Sequence, residues 1–229
     1  MKADYYLIIS LILNVSAYGQ SDLKSESSKL DSLLKRRYKC NLSGKKISLK
    51  NFVGASDDAF GYSYYYPKNF HEVVNKNIGN IYDTSEYISA DRKCKLKLWP
   101  GKTISFPLGA VDKNGKLLGL KSSDIIRAEN IVDQYIDSIK NGKTKEVEGI
   151  RIIESCKGVN GYNFQFSLKG IIGNRGYIYK IVISELPVSG DLIFKHFLYE
   201  YPLNFKLEYE QIGIAMANDF GDVFAKLSR

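Results

Sequence analysis

The sequence predicts an α+β fold in which helices cover an antiparallel β-sheet. Three observations predict it. Short extended segments alternate with turn residues over 47–98, and an amphipathic helical pattern follows at 122–139. Four further strand segments joined by short turns fill 150–199, and a second helical segment closes the chain. The order of strands, helix, four-stranded meander and C-terminal helix is typical of an antiparallel sheet covered by helices.

The first strands are expected between Ile47 and Leu98. Aromatic residues fill the stretch from Phe60 to Tyr66, which Pro67 is expected to end. Lysine alternates with leucine from Lys95 to Trp99, directly before Pro100 and Gly101. Both stretches have the composition of β-strands, and a proline after each predicts its end.

The strongest helix is predicted from Ser122 or Ser123, either of which suits the N-cap, to the Lys140-Asn141-Gly142 stop. Its apolar residues recur at helical spacing; they are Ile125, Ala128, Val132, Tyr135, Ile136 and Ile139. One face of this helix is therefore expected to pack on the sheet.

The meander is predicted from four strand segments separated by glycine-containing turns. The strands are Ile150 to Ser155, Tyr162 to Leu168, Tyr177 to Ile183 and Leu192 to Tyr199, and the turns are Asn160-Gly161, Gly173 to Gly176 and Ser189-Gly190. Connections this short require antiparallel neighbours. A helix from Phe205 to about Phe220 is expected to close the domain.

Three segments carry a resemblance to a known family. They are GYSYYYPKNF at Gly61 to Phe70, Ile88 to Asp91 before the Cys94 strand, and Phe197 to Pro202 before the last helix. In this order the elements resemble the PsbP/Mog1-like domains and, more loosely, small exported bacterial proteins of unassigned function. The resemblance covers most of residues 55–222. It implies the fold and a non-catalytic accessory or binding role, and it transfers no functional residue.

The N-terminus predicts a secretory signal peptide. Lys2 precedes the apolar run from Tyr5 to Val15, and the small-residue sequence from Ser16 to Gly19 follows. Cleavage near Gly19 would export the protein to the periplasm or the extracellular space, with a retained N-terminal anchor as the alternative. No other segment approaches the roughly 20 apolar residues that cross a bilayer, so no transmembrane segment is expected in the mature chain.

Three regions are expected: a signal peptide at 1–19, a polar and basic N-terminal segment at 20–54, and a single α+β domain at 55–229. The second region fits a short amphipathic helix or a loosely held leader. About 210 residues can bury a substantial core as one domain.

The three cysteines, Cys40, Cys94 and Cys156, cannot all pair within one chain and form no CxxC motif. Cys40 and Cys94 have similarly basic neighbours, so a disulfide between them is predicted. Cys156 is expected to be a buried free thiol.

The net charge of +8 concentrates in two clusters. Residues 35–50 contain seven basic side chains and no acidic one, and a second cluster surrounds Cys94. With a disulfide joining Cys40 and Cys94, the two would form one positive surface for an anionic partner. The predicted surface residues are Lys35, Arg36, Arg37, Lys39, Lys45, Lys46, Arg92, Lys93 and Lys95. A solvated, solubilising surface is the alternative.

No catalytic motif is recognisable. The two histidines, His71 and His196, lie outside metal-binding spacings, and no cofactor or metal is predicted. His196 is expected in the core or in a cleft, and His71 in an exposed loop. A nucleophile and base formed by Cys156 and His196 remains conceivable, although its surroundings match no cysteine-protease signature.

The sequence thus favours an exported, non-catalytic binding or accessory module of the cell envelope or extracellular space. Its partner is expected to be an anionic envelope component or protein, and export excludes nucleic acid as a normal partner. Two alternatives stay open: a hydrolase of unfamiliar type that uses His196 or Cys156, and an immunity or inhibitor protein that acts against an exported toxin.

Overall fold

A computed structural model describes residues 25–45, 47–57, 60–73, 84–106, 119–185 and 191–222. The predicted signal peptide, its cleavage site near Gly19, Lys46 and the turn at Ser189-Gly190 lie outside these residues. The predicted α+β class is confirmed, since the described part of the chain combines antiparallel sheets with helices.

The described ranges contain eleven strands and three α-helices, numbered in chain order. The helices are α1 at 25–34, α2 (Ser122–Lys140) and α3 (Lys206–Asp219). The strands are β1 (Arg37–Tyr38), β2 (Phe52–Asp57), β3 (Tyr62–Pro67), β4 (Phe70–Glu72), β5 (Ser85–Ser89), β6 (Lys95–Ile104), β7 (Arg151–Asn160), β8 (Asn163–Ile172), β9 (Arg175–Glu185), β10 (Leu192–Pro202) and β11 (Gly221–Asp222). No helix in this part of the chain is long and apolar enough to span a membrane.

The central sheet has eight strands in the order β1-β7-β8-β9-β10-β6-β5-β4, and every neighbouring pair is antiparallel. The predicted meander is confirmed as β7 to β10, with strands longer than the sequence pattern indicated. Gly161 and Gly173 adopt φ angles of 64° and 57° in the turns that follow β7 and β8. Glycine suits both positions because it adopts positive φ without steric cost.

Strand β6 does not end at Trp99, as the following proline predicted. It continues to Ile104 because a bulge accommodates Pro100: Lys195 pairs with Pro100, whereas Ile193 pairs with Thr103. The extra residue lies on β6, and a bulge is one of the few places where a sheet tolerates proline.

Helix α2 covers one face of the central sheet, called the α2 face below. Its buried residues include Ile125, Val132 and Ile136, and they belong to a core that also contains Phe164 and Phe194 of the sheet. This amphipathic stripe is the one that the sequence predicted. It accounts for the position of α2, since burial of apolar side chains is the main favourable term in folding.

The opposite face, called the α3 face, packs against α3 and a second sheet with the order β11-β3-β2. Leu96 and Leu98 of β6 are fully buried there, as are Phe197 and Tyr199 of β10. The predicted tyrosine-rich strand belongs to this second sheet as β3, and Tyr62 packs in the same core.

Two buried lysines join these layers. Lys180 Nζ donates to the carbonyl of Ala217 in α3 at 2.7 Å, and Lys195 Nζ donates to the carbonyl of Gly61 at 3.0 Å. Both side chains are almost completely buried on the α3 face. These hydrogen bonds fix α3 and the start of β3 to the central sheet.

The N-terminal segment packs on the domain. Leucines of α1 contact the core beneath α2, and β1 extends the central sheet by pairing with β7. Glu26 of α1 accepts hydrogen bonds from the backbone N–H and the hydroxyl of Ser122 at 2.6 and 2.9 Å. It therefore satisfies an N–H group that the first turn of α2 leaves without an intrahelical partner.

Candidate functional site

The disulfide joins Cys40 to Cys156, so the predicted pairing of Cys40 with Cys94 is wrong. The Cα atoms of Cys40 and Cys156 lie 5.3 Å apart, within the usual range for a disulfide. Cys156 is therefore not a free thiol, and Cys94 is the buried free cysteine of the described residues.

Sheet topology explains the correction. Cys156 lies on β7, whereas Cys94 directly precedes β6, and three strands separate β7 from β6. Four strand spacings correspond to about 19 Å, far beyond the span of a disulfide. Burial raises the pKa of the Cys94 thiol, which keeps it protonated at neutral pH.

The same separation divides the predicted basic surface. Lys35, Arg36, Arg37 and Lys39 lie at the β1 end of the central sheet, and Arg92, Lys93 and Lys95 lie near its other end. Lys45 occupies a third position, where its backbone N–H donates to Gln211 of α3. The basic residues therefore do not form the one continuous surface that the predicted disulfide between Cys40 and Cys94 would have created.

Arg36 has a structural contact. Its Nη1 donates to Glu129 Oε2 of α2 at 2.8 Å, and Lys157 Nζ bridges Glu129 and Asp133 at 3.2 and 2.6 Å. Burial alone raises the pKa of Glu129, but the hydrogen bonds from Arg36 and Lys157 outweigh it and lower the pKa. Arg36 thus links the end of α1 to α2.

The neighbouring basic residues Lys35, Arg37 and Lys39, called the edge cluster below, are exposed. Arg37 Nη1 donates to the carbonyl oxygens of Leu34 and Arg36, and no ion pair involves the edge cluster within the described residues. No carboxylate among the residues that the structure describes therefore neutralises its charge by direct contact.

A wide surface groove of about 950 Å³ lies beside the edge cluster, between α1 and β1. Tyr38, which is 63% exposed, lines it together with Lys35 and Arg37. Arg36, three serines and one aspartate complete the lining; the last four are Ser27, Ser28, Ser32 and Asp31. The groove combines positive charge with hydrogen-bonding groups.

The second basic cluster is partly neutralised. Lys95 Nζ lies 2.6 Å from Glu86 Oε1, and Lys93 Nζ lies 3.7 Å from Asp91 Oδ2. Arg92 adopts a φ of 57° in the turn before β6. This end of the molecule is less positive than its count of lysines and arginines indicated.

A smaller pocket of about 370 Å³ opens on the α2 face. Lys95 and Lys97 of β6 and Leu198 and Glu200 of β10 form its floor, and Lys145 completes its lining; this is the lysine pocket. Val147, in the same short 3₁₀ helix as Lys145, is fully buried beneath α2 and anchors that lysine.

The pattern of β6 explains two of these lysines. Leu96 and Leu98 are buried on the α3 face, so Lys95, Lys97 and Trp99 share the α2 face. Lys97 Nζ lies 5.2 Å from the centre of the Trp99 ring, within cation–π range. The alternation of lysine and leucine in the sequence indicated which residues share this face. No pattern in the sequence around Lys145 indicated that this lysine lies beside it.

His196 is a core residue, as expected. Its ring stacks on Trp99 with centroids 4.8 Å apart, and its Nδ1 lies 2.7 Å from the hydroxyl of Tyr179. Burial lowers the pKa of His196 to about 3, so the ring is neutral at physiological pH. The other histidine, His71, lies on β4 and is exposed.

The structure does not bring Cys156 and His196 together. Cys156 pairs with Ser167, which pairs with Lys180 on the α3 face, whereas His196 projects from the α2 face. Cys156 is also oxidised, and a disulfide sulfur is not a thiolate nucleophile. Within the described ranges, no three metal-ligating side chains lie close enough to hold a metal ion.

No protein-family model matches the chain, and no curated protein matches it significantly. Solved structures resemble it at the level of the fold. Cyanobacterial PsbP (CyanoP) from Synechocystis is 14% identical, with a TM-score of 0.45, over 79% of this chain and 98% of that one. The Ran-binding protein Mog1p from Saccharomyces cerevisiae is 11% identical, with a TM-score of 0.39, over 77% of this chain and 98% of that one.

The weak, fold-level PsbP/Mog1-like resemblance that the sequence predicted is confirmed. At these identities the likeness concerns the fold alone, since one fold hosts many unrelated functions. The function has to be argued from this chain's own surface.

Proposed function

We propose that the protein is an exported, non-catalytic binding module that contacts an anionic partner through the edge cluster and the adjoining groove. One observation carries the proposal: Lys35, Arg37 and Lys39 are exposed and form no ion pair in the described part of the chain. Such a cluster attracts anions and accelerates their association.

The position of the edge cluster supports a binding role. The disulfide at Cys40 immediately follows it, the ion pair between Arg36 and Glu129 lies within it, and β1 is paired with β7. A surface held in place from several sides loses less conformational entropy on binding than a free tail does. This rigidity favours specific contact over simple solubilisation.

The groove favours an acidic segment of a protein as the partner. Its lining extends from Ser27 of α1 to Tyr38 of β1, so an extended acidic chain can contact several of these side chains at once. Serine hydroxyls in its lining suit backbone and carboxylate groups, and exposed Tyr38 offers the kind of aromatic contact common at protein interfaces.

Two features support export. The N-terminal apolar run has the form of a signal peptide, and a structural disulfide between Cys40 and Cys156 persists best in an oxidising compartment. A non-catalytic role is consistent with the buried, neutral His196 and the oxidised Cys156, which leave the hydrolase alternative without its two candidate groups.

The test compares two triple variants of equal charge change. The edge variant is Lys35→Gln, Arg37→Gln and Lys39→Gln, and the control variant is Lys68→Gln, Lys102→Gln and Lys143→Gln, three exposed lysines elsewhere. Binding of a fluorescent decaglutamate peptide is followed by anisotropy at low and at physiological salt. Vesicles rich in phosphatidylglycerol provide the lipid comparison.

The wild-type protein and the control variant should bind the peptide, and the edge variant should bind at least about tenfold more weakly, with affinity falling as salt increases. Equal losses in both variants would make the attraction a property of net charge alone. Absence of peptide binding would also refute the proposal, and so would vesicle binding that is tighter than peptide binding and is lost in the edge variant, because lipid would then be the partner.

A further inference from the structure

The lysine pocket lies on a different part of the molecule from the edge cluster, and we propose that it binds a small organic molecule that carries a phosphate or sulfate ester. Three lysines line it: Lys95, Lys97 and Lys145. They come from two elements that are distant in sequence and adjacent in space. This site is independent of the surface proposed above.

The charge of the pocket favours an oxyanion. Two carboxylates accompany the three lysines: Glu86 contacts Lys95, and Glu200 contacts Arg175 Nε at 2.7 Å. Each carboxylate is thus already matched by a basic partner. Lys97 and Lys145 have no carboxylate contact among the described residues, and they remain to neutralise a ligand.

The pocket also suits the organic part of such a ligand. Its volume of about 370 Å³ lies within the range of small-molecule sites. Leu198 provides an apolar contact, and the carboxylate of Glu200 offers an acceptor for a ligand hydroxyl. A hydroxylated molecule with one charged ester group would use all of these features.

The position of the pocket explains why its polar groups remain accessible. Tyr135 of α2 contacts Phe194 and His196, which precede Leu198 in β10, so the helix covers that part of the α2 face. Leu198 and Glu200 lie beyond this contact, where the 3₁₀ helix that contains Lys145 approaches the sheet. The pocket is the gap between this helix and the strands.

Trp99 provides a built-in reporter, because it is the only tryptophan in the chain and Lys97 lies over its ring. The ligands are glucose phosphate and glucose sulfate, each esterified at the primary hydroxyl. Each is titrated into the full-length mature protein while tryptophan fluorescence is followed. Calorimetry measures the same affinities. Glucose is the uncharged comparison. A change with either ester and none with glucose is expected, and the stronger ester identifies the preferred oxyanion.

The matched variants are Lys145→Gln and Lys143→Gln. Both residues are exposed in the same loop, and only Lys145 lines the pocket. Lys145→Gln should weaken ester binding about tenfold, the value of one charge-assisted hydrogen bond, while Lys143→Gln and the edge variant should bind as the wild type does.

Three results would overturn the proposal: no ester binding at millimolar concentration, equal binding of glucose, or equal weakening by Lys145→Gln and Lys143→Gln. Failure of decaglutamate binding would leave these measurements unaffected, so the two proposals fail separately.

Discussion

Removing the disulfide should cost the protein several kilocalories per mole of stability. Cys40 and Cys156 are 116 residues apart, and in the chain-entropy treatment closing a loop of this length contributes about 5 kcal/mol at 25 °C. Native-state differences usually reduce the measured value, so Cys156→Ala should lower the free energy of unfolding by about 3 to 5 kcal/mol. Domains of this size are stable by roughly 5 to 15 kcal/mol, so the variant should remain folded.

Urea denaturation followed by circular dichroism measures this change. Without the cross-link the unfolded chain exposes more surface, so the dependence of the unfolding free energy on urea should also become steeper. Cys40→Ala should have the same effect as Cys156→Ala, because either substitution removes the same bond.

Cys94→Ala is the control. This buried residue lies outside the disulfide, so its substitution should cost only about 1 kcal/mol and leave the urea dependence unchanged. Alkylation of the unfolded wild-type protein without reductant, followed by mass spectrometry, should label Cys94 alone. A large loss in Cys94→Ala with little loss in Cys156→Ala, or labelling of Cys156, would refute the pairing.

Three further predictions concern stability measured by urea denaturation. Gly101→Ala should cost roughly 1 to 3 kcal/mol, because the new Cβ would lie 2.3 Å from Nε2 of the buried His196 ring. Gly119→Ala should cost under about 1 kcal/mol, because the space around Gly119 is open. Equal costs for the two variants would contradict this prediction. Arg36→Gln should cost about 1 kcal/mol by breaking the contact with Glu129, and Glu129→Gln should cost less in that background than in the wild type, because only its contact with Lys157 is left to lose. The pKa of His196 is about 3 when folded and 6.5 when unfolded, so below 6.5 the unfolded chain takes up a proton that the folded chain does not. Stability should therefore fall by about 2 kcal/mol from neutral pH to about pH 5, and His196→Gln should lack this contribution; an unchanged pH dependence in that variant would be the contrary result.

Local patterns were sufficient to predict the meander and both long helices. The turns between β7, β8 and β9 contain glycines at positive φ, and the apolar spacing of α2 matches the face that the structure buries. Each of these elements is determined by residues close together in sequence. Their type and order could therefore be predicted; the helix ends agreed to within about one residue, whereas some strand ends differed by several residues.

Features that depend on distant strands could not be predicted. The pairing of β11 with β3 brings together segments from both ends of the domain, and no turn between neighbours indicates it. The continuation of β6 through Pro100 depends on a bulge against β10. The disulfide partner of Cys40 likewise depends on the strand order. The similar basic residues around Cys40 and Cys94 do not indicate which strand lies beside β1.

The strand order also changes what the positive charge means. The sequence predicted one basic surface because it predicted a disulfide between Cys40 and Cys94. In the sheet, β8, β9 and β10 lie between these two cysteines. In our proposals each basic region therefore acts together with its own neighbouring residues. The edge cluster adjoins an open groove and suits an extended partner, whereas the lysine pocket is small and partly neutralised, so it suits a compact ligand. We therefore propose two different anionic ligands where the sequence pattern predicted one.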